Sequence, residues 1–180
     1  MGRPLVLHPF VPGLREADQR PTRMALAASG LPVVDVPTPP DQPLAYAAAL
    51  RRWWWAGAGP LLVCEQDKEP TPAALAGLLS CSHPWCAVAY PIYPAQTLLP
   101  APVMAAGAFR PDGSLRWLQE PEDWADTAGL GLCRFQGAAR TVRPPLVPFG
   151  PQFDAQVAAR LRAHGLRCHV HWPPIAHRHG

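Results

Sequence analysis

Lysine is nearly missing from this chain: fifteen of the sixteen basic residues are arginines, and Lys68 stands alone. Charge of either sign is scarce as well, at 16% of the 180 residues against about 25% in ordinary globular proteins. Sixteen basic against thirteen acidic residues leaves a net charge of +3, and the arginines are scattered, with Arg51-Arg52 the densest pair. Without a basic stripe, nucleic acid is not an expected partner. No apolar run approaches the length of a membrane span. Residues 1–10, with one arginine and an early proline, lack the apolar core of a signal peptide. Together these absences predict a cytoplasmic chain. Five cysteines are an odd number for a disulfide framework, and in a reducing compartment free thiols are the simpler expectation. Two common catalytic signatures are missing too: a glycine-rich phosphate loop of the Walker or dinucleotide type and the G-x-S-x-G nucleophile elbow. No segment repeats.

Proline is what the chain has in excess. Its 25 prolines and 14 glycines make up a little over a fifth of the residues, just under the roughly 25–30% that marks low complexity. Seven tryptophans and an apolar share of 48% argue for a core that offsets the ordering entropy. The length suits one domain. Apolar runs at Leu5–Leu7, Pro32–Val36, Leu61–Cys64, Cys86–Tyr90, Gly129–Phe135 and Leu166–His171 read as strands. Between them, helices are predicted over Arg23–Ser29, Pro43–Ala56, Pro72–Leu79 and Pro151–His164, the third capped by Thr71 with proline at its first position. Continuous apolar strands alternating with helices predict an α/β fold with a parallel sheet covered on both faces. The stretch from Pro91 to Asp126 carries no clear pattern.

Four features carry chemistry. Glu65-Gln66-Asp67 follows the buried strand Leu61–Cys64, and ligands of open α/β sheets bind outside the carboxyl ends of strands. Two carboxylates there suit Mg²⁺ or Mn²⁺; a solvated acidic loop is an equal reading. Four of the seven histidines, His169, His171, His177 and His179, fall within eleven residues, and ligation of a metal by at least one is expected. Cys81, His83 and Cys86 fall within six residues. Their loose spacing favours a helix-to-strand turn with Trp85 and Cys86 in the core over a zinc site. Asp35, ending the second strand, suits a ribose or base hydroxyl or amine. Of Trp53-Trp54-Trp55, at least one is expected to be exposed, or to be covered by another element or a partner, since a helix cannot point all three one way.

These pieces resemble glycosyltransferases of the GT-A type. The phrases E-x-D-x-x-P-T (Glu65 to Thr71), C-x-x-P-W-C (Cys81 to Cys86), G-L-G-x-x-R-F (Gly129 to Phe135) and H-x-H-x-P-P-x-x-H-x-H (His169 to His179) are similar to those of small glycosyltransferase-like proteins, phage-encoded ones included. The likeness runs from Leu61 to the C-terminus and is poor over the first sixty residues. It implies a Rossmann-like, GT-A-type three-layer sandwich with a mostly parallel central sheet. The single domain over 1–180 would have a nucleotide-binding half (1–90) and an acceptor and metal-completing half (91–180). The implied activity is metal-dependent transfer of a sugar from a nucleotide-sugar donor to an unknown acceptor, with Mn²⁺ or Mg²⁺ as cofactor. Asp67 would be the principal metal ligand, completed by His177 or His179, with His169 and His171 as substitutes. Glu65 would contact ribose or metal, and Asp35 would read the nucleoside. Asp154 would be the catalytic base, little separating it from Asp123 and Asp126. Glu in place of the first Asp of the usual motif and the short chain are departures. They leave a catalytically inactive GT-A-like binding or assembly module, with structural zinc on Cys81, His83, Cys86 or the late histidines, as the alternative. A metal-dependent hydrolase built on the histidines is a weaker third reading.

Overall fold

A computed structural model of the chain describes residues 2–13, 16–56, 59–92, 103–150, 152–173 and 176–177. The chain alternates strand and helix through its first half: β1 (Leu5–Phe10), α1 (Glu16–Ala28), β2 (Val33–Pro37), α2 (Ala45–Trp54), β3 (Leu61–Cys64), β4 (Lys68–Glu69), α3 (Pro72–Ser80) and β5 (Trp85–Val88). Short strands then follow one another: β6 (Pro91–Ile92), β7 (Val103–Met104), β8 (Ala106–Phe109), β9 (Leu115–Trp117), β10 (Trp124–Ala125) and β11 (Thr127–Ala128). The chain ends with β12 (Leu132–Phe135), α4 (Phe153–Ala163), β13 (Cys168–His171) and β14 (Ala176–His177).

Helix α1 begins at Glu16, seven residues before its expected start at Arg23, and takes Pro21 into its length; the local chemistry of α3 and α4 is as their sequences predict. Thr71 caps α3, its hydroxyl oxygen accepting from the Ala74 amide at 3.1 Å, and Pro72 opens the helix. Tyr46, Ala47, Leu50 and Trp54 form the buried stripe of α2, and Trp55 is 52% exposed. The stripe of α4 is Phe153, Val157, Ala158 and Leu161. Gly165, with φ of 74°, turns the chain out of that helix.

Seven strands make the main sheet in the order β10-β13-β5-β12-β3-β1-β2. Here the expectation of a Rossmann-like, GT-A-type three-layer sandwich with a mostly parallel sheet is corrected. β1 runs parallel to β2 and β3, and β5 to β13. β12, however, is antiparallel to both β3 and β5, and β10 is antiparallel to β13. The sheet is mixed. The other seven strands form three small ladders, β11-β8-β9, β14-β4 and β6-β7, all antiparallel. Apolar content reports burial on both faces and says nothing of direction. A parallel return needs a long crossover, usually a helix. The chain reaches β12 from β5 through short strands, and it comes back the other way. The unpatterned stretch from Pro91 to Asp126 contains the β6-β7 ladder and the strands β8, β9 and β10.

Side chains alternate along the strands and feed two hydrophobic clusters. One gathers Val6, Leu62, Cys86, Val88 and Leu132 with Leu26 of α1 and Ala74, Leu75 and Leu78 of α3. The other gathers Leu7, Leu61, Val63, Trp85 and Phe135 with Tyr46, Leu50 and Trp54 of α2 and Phe153, Val157 and Leu161 of α4. Among the described residues no helix is long and apolar enough to cross a membrane.

Candidate functional site

Three parallel strands end side by side at Phe10, Pro37 and Cys64. The loops leaving them form a cleft of about 210 Å³, lined by Pro9, Phe10, Val11 and Thr38, by Glu65, Gln66 and Asp67, and by Tyr46 and Phe149. Hydrogen bonds fix its walls. The Thr38 amide and hydroxyl both donate to the Phe10 carbonyl, at 2.8 and 2.9 Å. Gln66 accepts from the Val11 amide through Oε1 at 2.7 Å and from the Thr22 hydroxyl through its carbonyl at 2.8 Å. The Glu65 amide donates to Gly131 of the entry to β12 at 2.8 Å, and the Lys68 amide closes a turn on the Glu65 carbonyl at 3.1 Å. The acidic motif is thus tied to β1, α1 and β12 at once.

Its charges are crowded. Tyr46 donates to Glu65 Oε1 at 3.1 Å. Lys68, 2% exposed, puts Nζ 2.6 Å from Asp67 Oδ1 and 4.5 Å from the centre of the Tyr90 ring. Asp154, in the first turn of α4, accepts from the Leu130 amide at 3.1 Å. Burial pushes the Glu65 carboxyl up to about 8; the Asp154 charge adds to the rise and the Lys68 ammonium opposes it. Burial likewise lifts Asp154 to about 6, against the pull of the Leu130 amide and Lys68. Lys68 therefore only partly offsets Glu65, Asp67 and Asp154. Oxygen-only donors with surplus negative charge suit a hard divalent cation. Among the described residues, however, the ligand atoms that converge closely enough to hold a metal ion are those of Cys81, Cys86, His169 and His171, not these carboxylates.

The residues singled out in the sequence are distributed as follows. Glu65 and Asp67 line the cleft, and Asp154 acts on Glu65 through its charge. Asp126 is instead bound to Arg167 Nε at 3.0 Å and to the Phe109 amide at 2.9 Å, away from this group. The Asp123 carbonyl accepts from the Val170 amide beside β13. Asp35 sits in mid-strand on β2, exposed and opposite His8, and is not among the cleft residues; Thr38, three residues on, is. β14 pairs with β4, and His177 lies opposite Lys68, so the late-histidine backbone runs beside the residue that follows Asp67. His179 lies outside the described residues. His169 and His171 gather with Cys81 and Cys86 instead.

One further correction concerns the cysteines. Cys81 and Cys86 are joined in a disulfide, against the expectation of free thiols throughout; Cys64, Cys133 and Cys168 are free and buried. Trp85 and Cys86 do enter the core. Tyr46, Lys68 and Tyr90 are site residues that sequence reasoning missed. One signal for them exists: Gly129 and Gly131, since glycines in a strand permit a close approach. A Cβ on Gly131 would collide with Lys68 Cε and come 2.7 Å from the Tyr90 hydroxyl.

No protein-family model and no curated protein sequence matches the chain. In fold it matches solved structures, among them A197 from STIV. That match has a TM-score of 0.64 at 14% sequence identity and covers 99% of this chain and 86% of A197. At that identity the likeness is one of fold alone.

Proposed function

We propose that the chain transfers a sugar from a nucleotide-sugar donor, seated in the cleft at the carboxyl ends of β1, β2 and β3, to an unknown acceptor in the cytoplasm. The observation that carries this reading is that Glu65 and Asp67 line a cleft beyond the carboxyl end of β3, with the Asp154 charge acting on Glu65 and the His177 strand paired beside Lys68. Phe10 and Phe149 offer apolar walls to a base, and Gln66 and Thr38 offer polar atoms at a ribose. Asp67 would hold a divalent cation, Mn²⁺ or Mg²⁺, with Glu65 and the late histidines His177 or His179 completing the set. When bound, such a cation neutralises charge on a departing diphosphate. Lys68, held against Asp67, keeps a second positive charge beside the cleft. Asp154, lifted to about 6, is ionised at neutral pH yet basic enough to take a proton from an acceptor hydroxyl.

Calorimetric titration with uridine, guanosine and adenosine diphosphates, with Mn²⁺ or with a chelator, tests the reading. Binding is expected with Mn²⁺ and lost with the chelator. Asp67→Asn is expected to weaken it at least tenfold with the circular dichroism spectrum unchanged. Failure of every nucleotide to bind in both conditions overturns it.

A further inference from the structure

On the helix α3 side of the sheet, away from the cleft, four soft ligands converge. Cys81, Cys86, His169 and His171 each place one ligand atom so that all four lie within 4.8 Å of one another. Three elements build the cluster. Cys81 closes α3, its amide bound to the Gly77 carbonyl at 3.0 Å. Cys86 lies in β5 directly opposite His169 of β13. His171, two residues further along β13, points to the same face, and the two imidazole rings are 4.9 Å apart. Helix α3 comes close here: a Cβ on Gly77 would stand 3.3 Å from His171 Nδ1.

The geometry suits a metal. Zinc binds thiolate at about 2.3 Å and imidazole at about 2.0–2.1 Å in a tetrahedron, which sets sulfur and nitrogen about 3.6 Å apart. Cys81 Sγ and His169 Nδ1 are 3.8 Å apart. His171 Nε2 is buried with no hydrogen-bond partner. The surroundings hold the ligands as outer-shell groups do. Arg134, 1% exposed, directs one guanidinium nitrogen to Cys86 Sγ at 3.7 Å and to the His83 carbonyl at 2.8 Å, and a cation at that place favours the thiolate. His83 stacks on His169 at 4.5 Å, and Trp124 meets both rings edge-on.

We infer that the reduced chain holds one zinc ion on Cys81, Cys86, His169 and His171, and that the Cys81–Cys86 disulfide is the metal-free, oxidised state of the same site. Two thiolates and two imidazoles make a closed, structural type of site with no position left for substrate. The donors are softer than the carboxylates of the cleft and select a different metal. Interconversion balances with a dithiol reductant. It passes two electrons and two protons to the Cys81–Cys86 bond, leaving two thiols and becoming a disulfide itself. Zn²⁺ then displaces the two thiol protons to solvent. In a reducing compartment the zinc state is the standing one.

The test titrates the full chain, stripped of metal and reduced with a phosphine, with Co²⁺ and then Zn²⁺. One equivalent of Co²⁺ is expected to give intense visible bands of tetrahedral cobalt with thiolate charge transfer in the near ultraviolet. One equivalent of Zn²⁺ abolishes them, and the oxidised chain shows none. Cys81→Ser and His169→Gln are each expected to weaken binding tenfold or more, and Asp67→Asn to leave it unchanged. Zn²⁺ should also raise the melting temperature of the reduced wild-type chain and not of the oxidised one, a reading that needs no variant. Absence of thiolate charge transfer in the reduced wild type, or Co²⁺ spectra unaltered by both ligand substitutions, overturns the inference. Nucleotide binding plays no part in these readouts, so the cleft and the cluster stand or fall separately.

Discussion

At the residue scale the cleft depends on two glycines that let other side chains through. Gly131 leaves space that Lys68 and the Tyr90 hydroxyl fill, and the Tyr90 hydroxyl accepts from the Gly131 amide at 3.3 Å. Gly131→Ala must move Lys68, and with it the ion pair to Asp67. We expect a loss of about 1–3 kcal/mol in denaturant unfolding, the cost of overpacking a tight site, together with weaker Mn²⁺-linked nucleotide binding. Gly150→Ala, where a Cβ meets nothing within 4 Å, is the control and should stay within about 0.5 kcal/mol. The acidic motif was legible because its residues are adjacent and follow a buried strand. Tyr46 and Tyr90 were not legible as its partners, because they arrive from α2 and the end of β5; Asp154, on α4, was named only through the resemblance. Arg140 makes the same point in the scaffold. It donates to the carbonyls of Trp53, Trp54, Ala56 and Gly59, closing the end of α2 from more than eighty residues away. No local pattern signals it.

At the element scale, α3 links the two ends of the molecule. It starts at the loop that carries Glu65 and Asp67 and ends at Cys81. Its start is set by one side chain, Thr71. Thr71→Ala is expected to cost about 1 kcal/mol by unfolding in urea, the usual loss of a helix cap, and Thr71→Ser to restore most of it. The elements themselves were largely readable: Leu61–Cys64 is a strand to the residue, and the helix beginning at Pro72 runs one residue beyond its expected end. Strand direction was not readable. Leu132 to Phe135 is apolar enough to be buried on both faces, which holds equally for a parallel or an antiparallel neighbour. The pairing of Lys68–Glu69 with Ala176–His177 was out of reach too, since a two-residue strand leaves no periodicity.

At the scale of the whole molecule, the half-buried carboxyls of Glu65 and Asp154 tie stability to pH in a way that separates them from the histidines. His8, His169 and His171 all sit below their ordinary range, chiefly through burial. Charging them opposes folding, so they make stability rise with pH until the unfolded-state histidines lose their protons near 6.5. Glu65 and Asp154 act the other way. Their folded values, about 8 and about 6, lie above the ordinary 4.5 and 3.8. The folded chain therefore binds more protons than the unfolded one, and stability falls as pH rises through each window. Below pH 6.5 the two sets oppose each other; above it the histidines and Asp154 are spent and Glu65 alone remains. With a chelator present, the melting temperature is expected to reach its maximum near pH 6 to 6.5 and to decline toward pH 8. The decline is worth at most about 2 kcal/mol, the limit for one proton over that span. Glu65→Gln, which keeps an acceptor for Tyr46 without the charge, should abolish it. Mn²⁺ should flatten it in the wild type and do nothing in Glu65→Gln. A wild-type curve that stays level or rises from pH 6.5 to 8 under chelation would show that Glu65 is not held protonated at the cleft.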